Sequence, residues 1–212
     1  MEIRAPKSLL TKPQLHRLMN GTMRYTWRGV LCNKSPFDFA LYSLLLWRER
    51  PGTIIEIGTK EGGSTLWLSD LCRLFELGTQ IISIDLRQQA KIDRPEVTLL
   101  KGDAFHLENT LSEDVIRSLA RPLLVIDDSA HTPEAVLAIL RFMDPHLRVG
   151  EYAIVEDGVL AANPRFNGGP IPGIEQFLLE TDGRYEIDSE LCDFFGYNVT
   201  FNPNGYLKKV SD

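Results

Sequence analysis

The pattern of apolar and polar positions divides the chain into short, predominantly apolar runs and longer stretches of helical period. Thr53 to Ile57, Gln80 to Ile84, Val97 to Leu100, Leu123 to Ile126 and Tyr152 to Val155 are runs of strand length that lack strict apolar-polar alternation. Such runs predict strands buried on both faces. Between them lie helices. Ser35-Pro36-Phe37-Asp38 supplies an N-cap serine, a proline at the first helical position and an acid three residues after the cap, and it opens the helix FALYSLLLWRER, which Pro51-Gly52 ends. Further helices are predicted from Gly63 to Phe75 and from Pro133 to Phe142. Strand, turn, helix and strand in this succession make right-handed crossover units, so the fold class is α/β, with a doubly wound, mostly parallel sheet. The tail from Gly173 to Val210 adds a helix over IEQFLLE and two strands around Tyr185-Glu186-Ile187 and Tyr206-Leu207-Lys208.

Length and composition fit one domain over residues 1–212. Residues 1–50 are read as an N-terminal helical segment covering one side of the site, and 51–212 as the ligand-binding core. The 43% of hydrophobic residues suffices for a core in 212 residues. A net charge of -6 argues against a nucleic-acid partner, which would call for a basic patch. Cys32, Cys72 and Cys192 are odd in number and far apart, so neither a disulfide framework nor a zinc site is expected, and a reducing, cytoplasmic setting fits. No run has the length of a membrane span or a signal peptide. The sequon at Asn198 is read as carrying no sugar.

Two segments carry chemistry. The first, Glu56-Ile57-Gly58-Thr59-Lys60-Glu61-Gly62-Gly63-Ser64-Thr65, joins the first buried strand to its helix, where glycines permit close backbone approach and the helix N-terminus favours an anionic group. Asp85 ends the next strand, placed to accept the hydroxyls of a ribose, and Asp103 follows the third strand on the adenine side. The glycines do not spell G-x-G-x-x-G, and Glu56 would repel a pyrophosphate while suiting the amino group of a methionine moiety, which disfavours NAD. Glycines that serve only tight strand-to-helix packing are the plain alternative. The second segment is the pair Asp127-Asp128-Ser129-Ala130-His131 and Glu156-Asp157-Gly158, at two neighbouring strand ends. Oxygen ligands at that density suit Mg²⁺ or Mn²⁺. Acids that merely cap the following helix are the alternative there, and His131 read without relatives is equally a helix-start histidine.

From Tyr25-Thr26-Trp27-Arg28-Gly29 through Lys34-Ser35-Pro36-Phe37-Asp38, the EIGTKEGGST turn, DDSAH and VEDG, the chain resembles the family that groups cephalosporin-hydroxylase-type proteins with rhamnosyl O-methyltransferases. The DDSAH and VEDG pair is also similar to metal-dependent sugar O-methyltransferases of macrolide tailoring. The resemblance implies a class I S-adenosylmethionine methyltransferase: a Rossmann-like, seven-stranded sheet with an antiparallel C-terminal edge. It implies Asp128, Glu156 and Asp157 as Mg²⁺ ligands and His131 as general base. It places cofactor contacts on Glu56, Gly58, Thr59, Gly62, Ser64, Asp85 and Asp103, and leaves Asp127 to cofactor or metal. No iron or flavin site for oxygen insertion is evident.

The implied reaction is methylation of a sugar hydroxyl on a glycosylated natural product or an oligosaccharide precursor. The segment with Tyr25, Trp27 and Arg28 and the loop from Asn163 to Gly173 are expected to shape the acceptor pocket, whereas His16, His106 and His146 are read as structural. A homo-oligomer is expected, with no nucleic-acid or membrane partner. Two alternatives remain open. A catechol-type methyltransferase uses a similar acidic site, though its third ligand is usually an Asn where this chain has Asp157. A non-catalytic S-adenosylmethionine-binding protein could keep the fold.

Overall fold

A computed structural model describes residues 3–212. Its elements in chain order are α1 (Lys12–Thr22), β1 (Thr26–Trp27), β2 (Val30–Leu31), α2 (Pro36–Glu49), β3 (Thr53–Ile57), α3 (Gly63–Leu74), β4 (Gln80–Asp85), β5 (Val97–Lys101), α4 (Glu113–Ser118), β6 (Leu123–Asp127), α5 (Pro133–Met143), β7 (Tyr152–Val155), α6 (Ile171–Thr181), β8 (Tyr185–Ile187), α7 (Ser189–Cys192) and β9 (Tyr206–Lys209). The predicted strands and helices appear within a residue or so of their expected bounds, except that the tail helix begins at Ile171, three residues before IEQFLLE, and takes in Pro172 and Gly173 from the end of the expected loop. The segment 1–50, read as helical, holds α1 and α2 but also the β1–β2 hairpin between them, and the hairpin and the short α4 and α7 carry too few periodic positions to announce themselves.

The seven-stranded sheet runs β5-β4-β3-β6-β7-β9-β8. The pairs from β5 through β7 are parallel, and β9 pairs antiparallel with both β7 and β8. The order reverses at β3, whose successor β4 lies on one side and β6 on the other, which opens a crevice at the carboxyl ends of the strands. Each strand splits its side chains between two covers. Ile55, Ile57, Val125 and Val155 join α5 and α6 residues such as Val136 and Phe177 in one core. Ile54, Leu124, Ile126 and Ile154 pack with Leu45, Trp67 and Leu68 of α2 and α3 in the other. This two-sided burial explains the continuous apolar runs.

Two glycines are demanded by close approach. A Cβ on Gly58, at φ 109°, would lie 2.0 Å from the Asp128 carbonyl oxygen, so the β3 turn and the β6 end could not sit together. A Cβ on Gly63 would lie 1.9 Å from the Leu31 carbonyl, which rests on the first turn of α3. The hairpin is pinned there from outside: Trp27 Nε1 donates to Asp70 at 2.8 Å and Arg28 pairs with the same carboxylate at 2.5 Å.

Candidate active site

The strand ends that border the crevice are level. Asp128 N–H donates to the Ile57 carbonyl at 2.8 Å and Glu156 N–H to the Asp127 carbonyl at 2.9 Å. Beyond them lies a cleft of about 730 Å³ whose lining includes Gly58, Thr59, Ser64, Asp85, Asp103, Asp128, His131 and Asp157. These eight expected site residues are thus brought to one cavity. Four others are placed elsewhere: Glu56, Gly62, Asp127 and Glu156 are not among its lining residues.

Strand parity explains where the buried acids went. Glu56 precedes the end of β3 and shares the face of Ile54, so its carboxylate enters the layer beneath α3 and is fully buried. It accepts from Ser64 at 2.6 Å, Ser83 at 2.6 Å and Thr65. Burial pushes its carboxyl up, against the opposing pull of Lys34 and these hydroxyls. Asp127 is turned to the α5 side and held by the Ser129 hydroxyl at 2.6 Å; burial raises it as well. Glu156 shares the face of Ile154 and meets α2, where Tyr42 donates to Oε1 and Lys34 Nζ to Oε2 at 2.5 Å. Burial pushes Glu156 well up, with Lys34 working against it.

Asp128, His131 and Asp157 form the group of side chains that could enclose an ion, their nearest donor atoms lying within 4.8 Å of one another. His131 Nε2 lies 3.8 Å from Asp128 Oδ1 and 3.6 Å from Asp157 Oδ2, too far for hydrogen bonds. His131 and Asp157 both have left-handed backbone, with φ of 55° and 59°. That conformation costs free energy and turns both side chains toward the cleft. The Asp157 N–H is fixed by the Asn202 side-chain oxygen at 3.0 Å. Burial pushes the Asp157 carboxyl up to about 6, with His131 pulling against it. Glu156 remains compatible with a metal, because each carboxylate oxygen has a second lone pair beyond the one given to Tyr42 or Lys34.

The side of the cleft expected to take the cofactor is also built of fixed polar groups. Asp85 is oriented by the N–H groups of Lys60 and Arg87, each at 2.8 Å, and its carboxylate faces the cleft. Thr22 Oγ1 and Asn33 Oδ1 are buried without a hydrogen-bond partner, and both residues line the cleft. Orphaned polar atoms of this kind call for a ligand carrying polar groups. Met19, Met23 and Leu31 complete this wall, so α1 and the hairpin cover the cleft through residues other than Tyr25, Trp27 and Arg28. On the far side Asn163, Arg165 and Phe166 line it, and the Phe166 ring lies 6.0 Å from His131.

Thr22, Asn33, Lys34, Tyr42 and Asn202 escaped a reading of the sequence as site residues. Lys34 had a signal, since it stands directly before the Ser35 cap that fixes where α2 begins.

Residues 20–210 match the family model described as rhamnosyl O-methyltransferase/CmcI. The rhamnosyl O-methyltransferase of Mycobacterium leprae (strain TN) is 29% identical over 191 residues, covering 86% of this chain and 82% of that protein. A structure of CmcI with Mg and S-adenosylmethionine superposes with a TM-score of 0.68 at 28% identity, over 98% of this chain and 82% of the other. An apo-structure of CmcI gives 0.70 at 29% identity, over 90% of this chain and 78% of the other. The MycE methyltransferase of mycinamycin biosynthesis shares the fold, with a TM-score of 0.54 at 23% identity, over 80% of this chain and 48% of MycE. The chain belongs to the rhamnosyl O-methyltransferase/CmcI family of S-adenosylmethionine-dependent O-methyltransferases.

Proposed function

We propose that this protein transfers the methyl group of S-adenosylmethionine to a sugar hydroxyl, with Asp128, Glu156 and Asp157 as the seat of Mg²⁺ and His131 as the base. The observation that carries the reading is the single cleft: Asp85, Asp103 and the N-terminus of α3 stand at one end, and Asp128, His131 and Asp157 at the other. The relatives named for rhamnosyl O-methylation support a sugar acceptor.

Bound there, the cofactor supplies an electrophilic methyl group, and Mg²⁺ lowers the pKa of the acceptor hydroxyl. The chain does the rest. Asp85 and the Gly58–Gly63 turn orient the nucleoside and amino-acid ends; Asp128 and Asp157 hold the acceptor side in line; and His131 Nε2 takes the hydroxyl proton as the new O–C bond forms and the S–C bond breaks. Leu160 and Phe166 add apolar surface to the lining of the same cleft. The buried, unpaired Cys32, Cys72 and Cys192 support a reducing compartment, and no helix among the described residues is long and apolar enough to cross a membrane.

The test is turnover with a panel of deoxysugar glycosides and catechols. His131→Ala is expected to lower kcat by about two to four orders of magnitude with S-adenosylhomocysteine binding unchanged. Near-normal turnover by that variant removes the base, and methylation of planar aromatic diols alone removes the sugar.

A further inference from the structure

The acidic centre contains a cation of its own. Lys34 is 3% exposed, and its Nζ lies 2.5 Å from Asp128 Oδ2 and 2.5 Å from Glu156 Oε2. Its place is set by backbone: the Lys34 N–H donates to the Cys32 carbonyl at 3.0 Å, and the next residue, Ser35, caps α2 by accepting from Asp38 N–H. The ammonium therefore bridges the ends of β6 and β7. Removing an ammonium from water is costly unless charged partners compensate, and two carboxylates do so here. With a carboxylate oxygen 2.5 Å away on either side, the site is built for the ammonium form.

The charge balance has a consequence. Asp128, Glu156 and Asp157 carry three negative charges when ionised, and Lys34 cancels one, which leaves the charge that a divalent ion neutralises. We propose that Lys34 is a positioning residue that holds Asp128 and Glu156 in one orientation and sets the net charge of the centre, so that the centre favours divalent over trivalent cations. This rests on reading the acidic cluster as a metal seat. A fixed positive charge a few ångströms away repels a trivalent ion more than a divalent one, because Coulomb energy scales with the ion's charge. A lysine present only to fill space beneath α2 would have no such effect on selectivity.

The experiment measures Mn²⁺ binding by electron paramagnetic resonance and Tb³⁺ binding by sensitised luminescence on the full chain. Lys34→Gln keeps a donor near both carboxylates and removes the charge. Its ratio of Tb³⁺ to Mn²⁺ affinity is expected to rise by about tenfold or more over the wild type, and Lys34→Arg, which keeps the charge, to stay within about threefold. If Lys34→Gln does not fold, Glu156→Gln compared with Glu156→Gln/Lys34→Gln measures the same loss of charge where no ionised carboxylate remains at position 156, and the ratio must again rise. An unchanged ratio in whichever comparison folds overturns the assignment of Lys34 while leaving the metal seat intact. A wild type that binds neither ion overturns the metal seat itself.

Discussion

Glu56, the penultimate residue of β3, and Glu156, the first residue after β7, lie on the same face of the sheet two positions apart in register, and both are buried. Glu56 is held by three neutral hydroxyls drawn from two elements, Ser64 and Thr65 of α3 and Ser83 of β4. Glu156 is held by an ammonium and a phenol, Lys34 and Tyr42, from the α2 side. The first arrangement fixes shape: its hydrogen bonds tie the start of α3 to the neighbouring strand β4 through neutral donors. The second fixes charge, because it sets a cation permanently against the acidic end of the cleft. The two ends of one cavity are therefore supported by different physics, hydroxyl geometry under the proposed cofactor end and ion pairing under the proposed acceptor end.

The largest effect that tests this contrast is on stability. Glu156→Ala leaves Lys34 buried with one of its two carboxylates, and breaking a buried ion pair from one side costs roughly 3–5 kcal/mol. Glu56→Ala strands hydroxyls that can still pair among themselves, as Thr59 and Ser83 already do at 2.6 Å, and is expected to cost about 1–3 kcal/mol. Urea unfolding of both variants without added metal gives the comparison. Equal losses, or a larger loss at Glu56, would break it.

A second measurement asks whether Glu56 meets the cofactor at all. Its carboxylate lies under α3 rather than in the cleft lining, so Glu56→Gln is expected to change S-adenosylhomocysteine affinity by less than about threefold. Asp85→Ala removes a carboxylate that faces the cleft, and the loss of charge-assisted bonds to a ribose should weaken binding about tenfold or more. Calorimetry decides between them. If Glu56→Gln weakens binding as much as Asp85→Ala, the glutamate is a direct contact, as its position in the sequence suggested.

What the sequence made visible follows from what periodicity encodes. The runs at Ile54, Ile81, Leu124 and Ile154 are apolar because both faces of the sheet are covered, and the acids that follow them are visible because polarity appears where a strand leaves the core. That logic locates strand ends to within a residue. It does not show which way a side chain turns there: Glu56 and Glu156 follow the face of the isoleucine two residues earlier and go inward, whereas left-handed backbone turns Asp157 to the cleft. Contacts across the fold were out of reach for another reason. Lys34 meets Glu156 across 122 positions and Tyr42 meets it across 114, and no local pattern identifies which lysine or tyrosine of the chain is buried against which acid. The orphaned oxygens of Thr22 and Asn33 become visible only once α1 and the hairpin are seen to roof the cleft.

The smallest expected effect comes from Cys32, whose thiol sits within the fields of both glutamates. Burial pushes it up to about 12; Lys34 pulls it down, and Glu56 and Glu156 push it further up. Burial likewise takes Cys72 to about 11 and Cys192 to about 12. A thiol raised in the folded state keeps its proton where the unfolded chain has lost it. The folded form then binds more protons from the unfolded thiol value of about 8.5 up to the folded value, and stability falls as pH rises through that window. Cys32→Ala removes one such group, so the fall in unfolding free energy between about pH 9.5 and 10.5 should be shallower than in the wild type by roughly 1.4 kcal/mol per pH unit. At pH 8 the native protein should leave all three thiols unlabelled by a disulfide reagent, and denaturant should expose them together. Rapid labelling of Cys32 in the native state, or an unchanged slope in Cys32→Ala, would show that water reaches the space between the two glutamates, and the distinction between a hydroxyl-held and an ion-held carboxylate would then lose its dry surroundings.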